Sequence, residues 1–236
     1  MGEASVNTAC ETMSDPIAPP VALFGHRPFL FYLWSRSFSR FSSQIAAVAV
    51  GWQIYEMTGS AFDLGMVGLV QFAPTAILVF AAGHAADRYD RRRVVQLCQI
   101  AQGLAAAYLA WGSFAGWITV PEIFAAVAVF GAATAFESPA AAALLPAVVP
   151  TGMLQRATAV ATGVFQIATI TGPALGGFAD AAAPAAPYAV MALFWIASGL
   201  FSGAMPAALL GGLGTVLIAL LWMRLFPALR KVERLE

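Results

Sequence analysis

The chain has 236 residues, of which 60% are hydrophobic and only 10% charged; a soluble domain carries about 25% charged residues, so a water-facing surface cannot be built from this composition. The 12 basic and 12 acidic residues cancel, and net charge gives no reason to expect nucleic acid or an acidic partner. Two histidines and two cysteines, with no HExxH, CxxC, P-loop or GxGxxG spacing, supply no set for metal, nucleotide or nucleophilic chemistry, so neither an enzyme nor a cofactor is expected.

Residues 1–27 are polar, with Glu3, Glu11 and Asp15 among prolines 16, 19 and 20. An acidic start is unlike the basic start of a secretory signal, and the stretch reads as a disordered cytoplasmic tail. Seven apolar stretches follow, at 29–55, 64–86, 94–115, 120–146, 157–179, 187–205 and 207–227. Each is near the ~20 residues that cross the hydrocarbon core as a helix, and helix is the state that satisfies every backbone group in lipid. The predicted fold class is therefore an all-α membrane protein. Its predicted parts are a six-helix unit over 28–205, an additional helix over 206–228 and a basic tail over 229–236. Cys10 and Cys98 read as unpaired thiols.

The connections are short and alternate in charge. The second holds Arg88, Arg91, Arg92 and Arg93, and the fourth holds Arg156. The first, third and fifth (56–63, 116–119 and 180–187) hold no Arg or Lys. Basic loops stay in the cytoplasm, which places the even connections and the N-terminus inside. Glu56, Asp63, Glu122 and Asp180 then fall near the outer surface, in water.

The run Gly83-His84-Ala85-Ala86-Asp87-Arg88-Tyr89-Asp90-Arg91-Arg92-Arg93 joins the second and third spans. A loop that only set orientation would need charge but not this spacing. It resembles the G-x-x-x-D-R-x-x-R-R signature of the major facilitator superfamily, at the same place in the topology. Gly83 would let two helices approach closely, and Asp87 is placed to meet a helix N-terminus or an arginine. In the fifth span, Gly172-Pro173-Ala174-Leu175-Gly176-Gly177 resembles the G-P-x-x-G-G motif of exporters in that superfamily. Pro173 bends the helix, and Gly172, Gly176 and Gly177 leave a surface for another helix. Residues 47–55 and 136–150 look like span ends in the enterobactin-exporter-like branch.

This resemblance covers 28–205. It implies the N-terminal half of a proton-coupled exporter of a small molecule such as a siderophore or drug, in the bacterial inner membrane, with substrate bound between two halves. A full member has twelve spans. Residues 209–227 look like the last of these, and the long basic loop expected after the sixth span is missing. The sequence thus reads as a first half joined to a last helix, with the second bundle to come from a homodimer or a C-terminal half. The alternative is a non-transporting membrane fragment, with an interaction role or none.

Arg36, Arg40 and Gln44 recur every four residues and share one face of the first helix. A buried ionisable group in a membrane is costly unless paired or hydrated. Arg36 could also snorkel to the interface; it resembles a residue frequent there in the family, whereas Arg40 is unusual. Glu137 of the fourth span is expected at the depth of Arg40, as its ion-pair partner and a proton site. Gln71 and Gln166 are weaker candidates for lining the pathway.

Overall fold

The computed structural model describes residues 21–150 and 152–203, the side chains of residues 21, 22, 86 and 87 excepted. Most of the tail expected at 1–27, namely residues 1–20, and the stretches expected at 206–228 and 229–236 lie outside the described residues. Seven helices follow one another: α1 (Val21–Phe24), α2 (Arg27–Thr58), α3 (Ala61–Arg88), α4 (Arg91–Ala115), α5 (Val120–Val148), α6 (Leu154–Ala182) and α7 (Ala186–Gly203). Among the described residues there is no strand.

The connections are tighter than the sequence suggested, because local capping ends one helix and starts the next within a few residues. Gly59 closes α2 in the left-handed conformation at φ 62°, and its N–H returns to the Tyr55 carbonyl. Ser60 then opens α3 by accepting the Asp63 N–H. At the start of α5, the Thr119 N–H donates to the Glu122 carboxylate at 2.7 Å, so Glu122 serves as a capping group.

Among the described residues, five helices are long and apolar enough to cross a membrane: Ala61–Ala85, Arg91–Ala115, Val120–Val148, Leu154–Ala182 and Ala186–Gly203. Helix α2 has the length, 32 residues or about 48 Å. It falls short in apolarity because it carries Arg36, Arg40 and serines 35, 37, 39, 42 and 43. Residues 21–27, read from sequence as part of a tail, include the helical turn α1, whose Leu23 is buried against Phe29, Met153 and Ala157.

The core lies between α2, α4, α5 and α7. Ile45, Val50 and Ile54 meet Leu109, Ile123, Val127, Phe130, Tyr188, Met191 and Trp195 there, and the Phe130 and Trp195 rings stand 4.8 Å apart. Helix α3 packs on α5, and α6 packs on α2. These two flank the core: no residue in the apolar window of α3 is buried, and Phe72, Ile77 and Phe80 point outward. Helices α3 and α5 touch through Gly131, where an added Cβ would collide with the Gln71 carbonyl oxygen.

Candidate functional site

A polar centre sits inside this apolar bundle, where α2, α4, α5 and α7 converge. Glu137 of α5 is only 4% exposed. Its Oε1 accepts from Arg36 Nη1 at 2.7 Å, Ser39 Oγ at 2.8 Å and Gln99 Nε2 at 3.2 Å. Behind it, Ser35 Oγ lies 2.7 Å from Ser202 Oγ and 3.2 Å from Ser198 Oγ. Ser202 in turn donates to Gln99 Oε1 at 2.8 Å. An ionised carboxylate survives in such surroundings only when paired and hydrogen-bonded, and here it has a cation and two neutral donors.

The pairing corrects the expectation from sequence: the partner of Glu137 is Arg36, not Arg40. Helix rotation accounts for it. Residue 39 turns toward α5 and residue 40, about 100° from it round the helix, faces α6. Residue 36 lies between them, about 60° from 39 and 40° from 40, and its long side chain reaches Glu137 while also bordering α6. The Arg40 guanidinium instead lies over the Phe165 ring, 4.7 Å from its centroid. Arg36 does not snorkel away; its side chain is 17% exposed and held by the ion pair.

Arg36 and Arg40 line a cavity of about 250 Å³ between α2 and α6. Tyr32, Leu33, Thr158, Thr162 and Phe165 complete most of its wall, with Leu145 of α5. Gln44 is not part of it. That side chain is fixed in the α2–α6 seam, its Nε2 donating to the Thr169 carbonyl at 3.4 Å. Gln71 and Gln166 are exposed, apart from both the polar centre and the cavity. The serines of the centre and Gln99 were not singled out from sequence. Their signal was the four-residue spacing of Ser35 with Ser39 and Ser198 with Ser202.

The two glycine motifs behave differently. An added Cβ at Gly172 would stand 2.5 Å from Gln44 Cβ, and at Gly176 3.5 Å from Ile45 Cα. The fifth-span motif is thus the seat of α2, the helix that uses the surface left by Gly172 and Gly176; Gly177 remains open. No described atom lies within 4 Å of a Cβ added at Gly83, so no close approach is made there within this bundle. The Asp87 side chain, and with it the contact it was expected to make, lies outside the described residues. In the same run Asp90 caps α4 by accepting the Arg92 N–H at 3.0 Å. Arg91 donates to the Ala143 carbonyl of α5 at 3.1 Å, while Arg88 is exposed. The motif therefore ties the α3–α4 turn to the end of α5.

Residues 18–201 match the family model described as transmembrane secretion effector, a family of the major facilitator superfamily. The chain belongs to that family. It is accordingly a multi-pass membrane protein. Macrolide efflux protein A of Streptococcus pyogenes is 29% identical over 147 residues, which cover 61% of this chain and 36% of that protein. The multidrug efflux pump Tap of Mycolicibacterium fortuitum is 26% identical over 156 residues, 64% of this chain and 38% of the pump. The matched region thus spans well under half the length of these relatives.

Proposed function

We propose that this bundle is one half of an exporter that moves small molecules out of a bacterial cell across the inner membrane, with the N-terminus in the cytoplasm. The observation that carries the reading is the buried Arg36–Glu137 pair beside an open cavity. Ionisable groups within a membrane bundle mark ion or substrate pathways. The membership of the family and the names of the efflux relatives supply the direction of transport. Coupling to protons belongs to this reading: Glu137 is the carboxylate placed to take up a proton, which would release Arg36 and open the polar centre. Alternating access needs two bundles about a shared site. The second is a further copy of this chain or another segment, and without it the bundle is a non-transporting membrane protein.

A chimera tests this. Residues 28–203 replace the matched segment of the Streptococcus macrolide efflux protein, and erythromycin accumulation is measured in bacteria lacking other pumps. The reading expects accumulation to fall several-fold, and Glu137→Gln to abolish the fall at equal membrane abundance. A chimera present in the membrane with no effect on accumulation counts against it.

A further inference from the structure

The cavity between α2 and α6 carries two guanidinium groups, Arg36 and Arg40, and no Asp or Glu lines it. The nearby carboxylate, Glu137, is already engaged by Arg36, Ser39 and Gln99. Among the described residues Arg40 makes no hydrogen bond or ion pair, only its contact with the face of Phe165. A ring face attracts a cation by about 0.5–2 kcal/mol, but it leaves all five N–H donors at the guanidinium edge without acceptors. Arg40 is thirteen residues beyond Arg27 at the start of α2, about 20 Å along the helix and deep within a ~30 Å core. A charge so placed calls for a counter-charge or water.

We propose that this cavity is an anion-binding site that takes the carboxylate or phosphate end of an amphipathic ligand, with the Arg40 guanidinium as its main contact. The planar fork of Arg matches two oxygens of either group. Thr162, whose hydroxyl has no hydrogen-bond partner among the described residues, stands on the same wall to donate a further bond. Leu33, Leu145 and Phe165 give the remainder an apolar surface. A volume of about 250 Å³ is that of about eight waters at ~30 Å³ each, enough for an acid group on one ring. The occupant is either a transported organic anion or a lipid headgroup. The first identity rests on the export reading; the anion selectivity does not.

The test uses the full chain purified in a neutral maltoside detergent, with 1-naphthoate, 1-naphthylmethanol and 1-naphthylmethylamine as probes of one shape and three charges. Binding is read by tryptophan quenching. The site predicts saturable binding of naphthoate at least tenfold tighter than of the other two. Arg40→Gln should remove that preference, Arg40→Lys retain part of it, and Arg27→Gln, exposed at the start of α2, leave it unchanged. Should Arg40→Gln fail to fold, the three-probe comparison on the wild-type chain decides alone. Equal affinity for the three probes, or an unchanged preference in folded Arg40→Gln, overturns the proposal. A second arm places the chain in phosphatidylglycerol or phosphatidylcholine nanodiscs and detects retained lipid by native mass spectrometry. Arg40-dependent retention of phosphatidylglycerol assigns the site to a headgroup; naphthoate selectivity without such retention assigns it to a transported anion. Intact anion binding beside a chimera that reaches the membrane and leaves erythromycin accumulation unchanged counts against the export reading alone.

Discussion

At the scale of single residues, burial decides which charges matter. Arg36 and Glu137 form a buried pair, and removing one member leaves the other uncompensated, at a cost of about 3–5 kcal/mol. Arg36→Gln and Glu137→Gln should therefore each lower the unfolding midpoint in detergent strongly. The double variant should recover part of the loss, with a coupling of about 0.5–3 kcal/mol. Arg40→Gln combined with Glu137→Gln should show little coupling, since Arg40 rests on Phe165. Strong coupling to Arg40 with none to Arg36 would contradict the geometry. The sequence made these three residues legible as a group, because membrane helices rarely carry charge. It could not choose between Arg36 and Arg40: one helical turn separates them, and the choice depends on how α2 is rotated against α5 and α6. The serines and Gln99 escaped notice because hydroxyls and amides are common in membrane helices, and their meaning comes only from convergence.

At the scale of helices, small residues set which elements touch. Gly172→Ala would place a Cβ 2.5 Å from Gln44 Cβ, and such overpacking costs about 1–3 kcal/mol. Gly177→Ala meets open space and should change stability by no more than about 0.5 kcal/mol. Thermal unfolding of the two variants side by side checks this, and equal destabilisation would mean that α6 does not seat on α2 as described. The helices themselves were legible from apolar length and from arginine alternation. Helix α2 was legible by length despite its serines, whereas α1 was not, because one buried leucine in four residues gives no periodic signal. The proposed orientation rests on the same alternation. In a Cys10→Ser, Cys98→Ser background, an impermeant thiol reagent outside the cell should label Ser60→Cys and spare Tyr89→Cys. The reverse pattern would turn the bundle over.

At the scale of the whole molecule, the core joins α2, α4, α5 and α7, while α3 and α6 leave large apolar side chains exposed. Family membership was legible from the Gly83–Arg93 and Gly172–Gly177 runs. The contact that Asp87 makes within the first run falls, with its side chain, outside the described residues. The claim that transport requires a second bundle is tested most directly in proteoliposomes. The purified chain is reconstituted at no more than one copy per vesicle, a pH gradient is imposed, and erythromycin movement is followed. The account predicts movement no faster than in protein-free vesicles. Gradient-driven movement by single copies, abolished by Glu137→Gln, would contradict it and show that one bundle suffices.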